Sequence, residues 1–186
     1  MTDADFLTLI QRNPANAAIL HRAPTLGLAD AWLVSGSLFQ TVWNALTDRP
    51  AGHGIKDYDI FYFDRDTSYE AEDEQIRRAA DLFQDLDISI EVRNQARVHL
   101  WYKDHFGIDY APLSSACEGI DRFLAIACKV GVSLDGQQRI YAPDGLDDMA
   151  QLRIRPNASA NFLAEHYAAK CARWQGMWPE LTIEAV

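Results

Sequence analysis

The chain has 186 residues, 48% of them apolar and 11% aromatic, enough to bury one sizeable core and too hydrophobic for a disordered chain. Its formal net charge of −10 argues against extended, non-specific nucleic-acid binding, which relies on basic surface. No apolar run approaches the roughly 20 residues of a membrane span, the acidic start Met1-Thr2-Asp3-Ala4-Asp5 lacks a signal-peptide pattern, and the scattered Cys117, Cys128 and Cys171 fit a reducing cytoplasm better than a disulfide framework or a zinc site.

Residues 3–12 and 14–23 read as two short helices, the second capped by Asn13 with Pro14 in its first position. Ala31 to Val34 is a short buried strand that runs into Gly36-Ser37 and a helix with Leu38, Val42, Ala45 and Leu46 on one side. A loop rich in Gly and Pro, Asp48 to Gly54, leads to a second strand over 58–63. Thr67 and Glu70 predict a capping box for a helix reaching about Phe83, with Ile76, Ala79, Ala80 and Phe83 inward. The alternation of Ile88 to Val92 marks a third strand.

Asn94 to His105 suits a helix ended by Gly107, while Val98 to Tyr102 also suits a strand. Ser115 and Glu118 predict a second capping box, opening a helix with Ile120, Phe123, Leu124 and Ala127. Asp135-Gly136 between Val130-Gly131-Val132 and Arg139-Ile140-Tyr141 signals a hairpin. Asn157 to about Gly176 reads as one amphipathic helix carrying Phe162, Leu163, His166, Tyr167 and Trp174. The predicted fold is α/β in the broad α+β sense, a small mixed β-sheet flanked by helices. We expect a single domain over 1–186, with an α/β core at about 28–110 and a mainly helical part at about 111–186.

Asp57-Tyr58-Asp59 carries the most chemistry. Carboxylates two residues apart on a strand share a face, and a buried strand that presents two acids needs something to neutralise them. Mg²⁺ is held by one or two carboxylates together with substrate phosphates. Gly36-Ser37, ending a strand and opening a helix, offers backbone amides to phosphate. Glu91 lies between Ile90 and Val92 on the third strand, so Asp57, Asp59 and Glu91 are expected to converge if the three strands are neighbours. Such a trio can hold two divalent ions for nucleotidyl transfer. Arg93 and Arg97 suit either a triphosphate or ion pairs with the acidic stretch Asp64 to Glu74. Trp101, Tyr102 and Phe106 read as core packing before base stacking, and His99 and His105 as structural or surface residues. No Gly-x-Ser-x-Gly elbow or phosphate-loop Gly-Lys-Ser/Thr motif is present.

With Gly36-Ser37, Asp57-Tyr58-Asp59 and Ile90-Glu91-Val92, the chain resembles the DNA polymerase β-like nucleotidyltransferase superfamily over about residues 32–92. The run from Gly36 to Leu46, followed by Arg49-Pro50 and the Asp pair, is similar to the head-domain layout of tRNA CCA-adding enzymes. The segments around Val42-Trp43-Asn44, Glu91 to Arg97, His99 to Tyr102 and Tyr141 to Asp148 resemble a bacterial group of small nucleotidyltransferase-like proteins over roughly 28–157.

The resemblance implies that Gly36 and Ser37 cradle nucleotide phosphates, that Asp57 and Asp59 ligate metal, and that Glu91 completes the site or helps deprotonate the acceptor. It implies Mg²⁺ or Mn²⁺ as cofactor, an NTP as substrate and transfer of its NMP to an acceptor hydroxyl. The chain departs from CCA-adding enzymes in having Gln40-Thr41-Val42-Trp43-Asn44 where those carry Val-Arg-Asp, and it lacks their basic tRNA-binding body, so tRNA is not carried over. The alternative is a nucleotide- or metal-binding, or protein-interaction, module on the same scaffold without catalysis.

Overall fold

The computed structural model describes residues 1–158 and 161–186. Two capped helices open the chain. In α1 (Asp3–Ile10) Thr2 and Asp5 form a reciprocal capping box, and in α2 (Pro14–Arg22) the Asn13 side chain accepts from the Ala15 amide at 3.0 Å, with Pro14 in the first turn. Their buried residues Phe6, Ile10, Ile19 and Leu20 join the main core.

Five strands form the principal sheet, in the order β3-β2-β1-β4-β5. Strand β1 (Trp32–Val34) runs antiparallel to both β2 (Tyr58–Tyr62) and β4 (Gly131–Ser133), and β4 pairs with β5 (Ile140–Tyr141) as the expected hairpin. Strand β3 (Ile90–Asn94) is parallel to β2, which requires a crossover; α4 (Tyr69–Leu82) provides it. The segment after residue 111 thus contributes two strands of this principal sheet as well as helices.

The period-two alternation sorts the sheet into two faces. On one, Leu33, Tyr58, Ile60, Tyr62, Val92 and Val132 pack with Leu38, Phe39 and Val42 of α3 (Gly36–Leu46). On the other, Trp32 and Val34 meet Ala116 and Ile120 of α6 (Ala116–Ile120), with Phe61, Phe63 and Phe123 beside them. Asp59 pairs with Val34 and Phe61 with Trp32, so Asp59 belongs to this second face. Helix α8 (Ala164–Met177) docks on α3 through Phe39, Trp43 and Trp174, whose ring centroids lie 4.6–5.9 Å apart. A short parallel pair, β6 (Arg153–Ile154) with β7 (Thr182–Ile183), closes the chain.

Several local expectations shift. The cap of α4 is Ser68, whose hydroxyl accepts from the Ala71 amide at 3.3 Å; Thr67 is one residue early. Of the expected inward residues of α4, Ala79 is buried but Ala80 is exposed. Residues 98–106 are helical (α5, Val98–Phe106) and end at Gly107 with φ +75°, which decides between helix and strand. Ser115 caps α6 as expected, but the Glu118 carboxylate accepts from Ser114 instead of the Ser115 amide. Helix α6 stops at Ile120 because the chain beyond is pinned in extended form: Ala125 bridges Pro156, and the Asn157 amide donates to the Leu124 carbonyl at 2.9 Å. The same pinning delays the last helix to Ala164; residues 159–160 of its expected span lie outside those described. One short helix, α7 (Asp147–Ala150), has no counterpart in the reading of the sequence.

Candidate active site

The parallel register of β2 and β3 sets Asp59 opposite Glu91 and Phe61 opposite Arg93. Directly paired residues on neighbouring strands share a face, so two acids, a cation and an aromatic ring form a patch on the second face. These four side chains line one wall of a cavity of about 550 Å³. Its other walls come from α5 and the segment after it (Trp101, Tyr102, Phe106, Tyr110), from the turn after α6 (Arg122, Phe123), and from α8 (His166, Lys170).

Asp59 is the strained group of the patch. Burial, and then the negative charges of Asp57 and Glu91, push its carboxyl up to about 7, against the pull of Lys170 and Arg93. Arg93 reaches the Glu91 carboxylate at 3.2 Å, and both are half-exposed, so this pair is free to exchange partners. Among the described residues no three His, Cys, Asp or Glu side chains form a preassembled metal cage. The oxygen donors still suit Mg²⁺, which is usually held by one or two carboxylates plus substrate phosphates and not by an all-protein cage. A divalent cation would also relieve the crowding on Asp59.

The Gly36-Ser37 turn stands at the end of β1, two residues beyond the Val34 that pairs with Asp59. The sharp backbone turn falls on Ser35, with φ +52° and ψ −113°, and its amide donates to the Val130 carbonyl at 2.9 Å. A serine in this region stores about 1–3 kcal/mol, a strain found most often at functional turns. Gly36 and Ser37 begin α3, and the first amides of a helix have no intrahelical acceptor. The Ser37 side chain is fully buried, so anything Ser37 offers a ligand comes from its backbone. Neither residue is among those lining the cavity.

Arg97 is engaged elsewhere. It lies 3.2 Å from Glu72 of α4, donates to the Ser68 carbonyl and covers the Tyr69 ring at 5.8 Å. The structure therefore brings Asp59, Glu91 and Arg93 together in the cavity, leaves Asp57 one residue before β2, outside the lining but with its charge acting on Asp59, keeps Gly36-Ser37 at the neighbouring strand end, and ties Arg97 to the base of α4. Trp101, Tyr102 and Phe106 line the cavity, and Trp101 and Phe106 are 38% and 36% exposed, which corrects the expectation that they pack in the core. Lys170 and Arg122 were not legible as site residues. Both come from segments remote from the Asp pair and carry no local motif, their only sequence signal being positive charge in an acidic chain.

A mixed sheet whose neighbouring strands carry paired acids beside a strained strand-to-helix turn defines a class, and the sequence agrees: a family model described as Nucleotidyltransferase matches residues 21–183. The chain belongs to this nucleotidyltransferase family. It is also similar to a protein whose NMR structure is described as revealing a CCA-adding enzyme head domain, with a TM-score of 0.78 and 25% identity, covering 100% of this chain and 97% of that one. No curated protein matches the chain.

Proposed function

We propose that the protein transfers a nucleoside monophosphate from an NTP to an acceptor hydroxyl, with Mg²⁺ or Mn²⁺ as cofactor. The observation that carries this reading is Asp59 in register with Glu91, crowded by Asp57, in a cavity that also presents Arg93 and Lys170. Asp57, Asp59 and Glu91 would hold the cation, which supplies charge neutralisation on the triphosphate when bound. Arg93 and Lys170 bring positive charge toward the phosphates, and the first amides of α3 extend that cradle. The acceptor oxygen attacks the α-phosphorus as the bond to the β-phosphate breaks, and pyrophosphate leaves. Glu91 takes the hydroxyl proton. Catalysis here is mainly positioning and electrostatics.

Among the described residues no helix is long and apolar enough to cross a membrane. The test is calorimetric titration of ATP, GTP, CTP and UTP with Mg²⁺ into the wild type and into Asp57→Asn/Asp59→Asn. Binding that needs both the cation and the two aspartates is expected. Absence of binding by the folded wild type would overturn the reading.

A further inference from the structure

One wall of the cavity is made of aromatic rings that the fold leaves half-buried or exposed. Tyr102 packs against Phe106 at 4.5 Å and against Tyr110 at 4.4 Å between centroids, and Phe106 nevertheless remains 36% exposed. Arg122 lies over Tyr110 at 5.6 Å. Trp101, 38% exposed, lines the same cavity 6.4 Å from Phe106, and adjoining exposed apolar rings point to interaction surface where a lone one would not. Asn161 donates to the Tyr102 hydroxyl at 3.1 Å and Phe106 contacts His166 at 6.0 Å, and both partners line the same cavity.

The lining of the cavity combines two chemistries. Lys170 and Arg93 act on Asp59. The aromatic residues contribute the mutually tilted rings and, over Tyr110, the Arg122 guanidinium. A ligand that complements both must join a polyanion to a planar π-system. The volume, about 550 Å³, falls in the range of small-molecule sites.

We infer that the Tyr102–Phe106–Tyr110 wall is the base-binding subsite of the enzyme, on which the base of the donor nucleotide stacks while its triphosphate lies at Asp59, Arg93 and Lys170. This rests on the nucleotidyl-transfer reading above and adds to it the residues that set nucleotide affinity. Every base has a π-face, so the wall recognises the presence of a base more than its identity, and a stacked aromatic contributes about 1–3 kcal/mol per base.

The experiment titrates each of the four NTPs and, separately, inorganic tripolyphosphate, all with Mg²⁺, into the full chain. Wild type, Phe106→Leu, Phe106→Leu/Tyr110→Leu and Phe106→Tyr are compared. Leucine keeps apolar bulk and removes the ring, and Phe106 is exposed enough for the change to be tolerated. The tightest NTP is expected to bind the leucine variants at least about fivefold more weakly, the lower bound for one lost stack, with tripolyphosphate unchanged and Phe106→Tyr like wild type. Leucine variants that bind NTP as the wild type does overturn the inference, as does parallel loss of NTP and tripolyphosphate. A wild type that binds tripolyphosphate as tightly as any NTP also overturns it while leaving the proposed reaction standing. One that binds neither overturns both.

Discussion

Asp59 and Glu91 are direct Cα partners across the parallel β2–β3 pair, so the separation of the two acids is fixed by strand pairing and not by a flexible loop. Replacing either should weaken Mg²⁺–NTP binding at least about tenfold, a loss of about 1.4 kcal/mol. Above pH 7, where the Asp59 carboxyl is ionised, Asp59→Asn should at the same time raise the melting temperature of the chelator-treated protein, because it removes a charge opposed by burial and by Asp57 and Glu91. The expected gain is about 2–4 °C for each kcal/mol relieved. Calorimetry and thermal unfolding on one preparation check both effects; a melting temperature that falls together with binding would mean that Asp59 supports the fold.

Arg93 and Arg97 should separate cleanly. Arg97 and Glu72 expose only 11% and 12% of their side chains, and Glu72 also accepts from the Asn94 amide at 2.8 Å. Breaking a buried pair of this kind costs on the order of 3 kcal/mol. Arg97→Ala is expected to lower thermal stability and leave NTP affinity unchanged, and Arg93→Ala to do the reverse. Nucleotide titrations on the two variants, each run beside a melting curve, decide this.

The loop before the Asp pair is anchored from the far end of the chain. Trp178 is fully buried and donates to Asn44 at 2.9 Å, and Asn44 in turn donates to the carbonyls of Ala51 and His53. Gly54 has φ +73°, and a Cβ there would come within 2.5 Å of the Trp178 ring. Gly54→Ala should therefore destabilise by more than about 1 kcal/mol, and Trp178→Ala by about 3–5 kcal/mol. Denaturant titration with unchanged slope would give both values directly.

Acid should loosen the β4–β5 hairpin. Asp135 accepts from the Gln137 amide, the Ser133 hydroxyl and Arg139, and these hold its carboxyl down at about 2. A carboxyl depressed in the folded state adds stability that is complete above its ordinary range near 4 and is lost as pH falls toward 2. Asp135 is partly exposed, so the effect is modest in solvent. Between pH 4 and pH 2 the wild type should lose more stability than Asp135→Asn, as read from melting curves across that range.

Local chemistry made much of this protein legible from its residues alone. Asn13 and Pro14 announce α2 because capping and a fixed φ act within one turn. Asp135-Gly136 announces the hairpin because the turn itself demands those residues. Asp59 and Glu91, each flanked by apolar neighbours, stand out as candidate acids on one face because strand alternation alone assigns their side chains.

What the sequence could not decide was partnership between segments. Whether Glu91 stands beside Asp59 depends on β3 pairing parallel to β2, and that is set by the α4 crossover and by packing of Val92 and Ile60 on the common core. Whether Arg97 joins the site or α4 depends on where Glu72 lands. The end of α6 at Ile120 follows from the Ala125–Pro156 bridge, made with chain some 30 residues on, and the aromatic residues of α5 line a cavity only because α8 and the turn after α6 form its other sides. Capping, turn formation and alternation are short-range and are written in neighbouring residues. Strand order, ion-pair choice and cavity walls arise from the lowest free energy of the whole packed chain, so they appear only when the tertiary structure does.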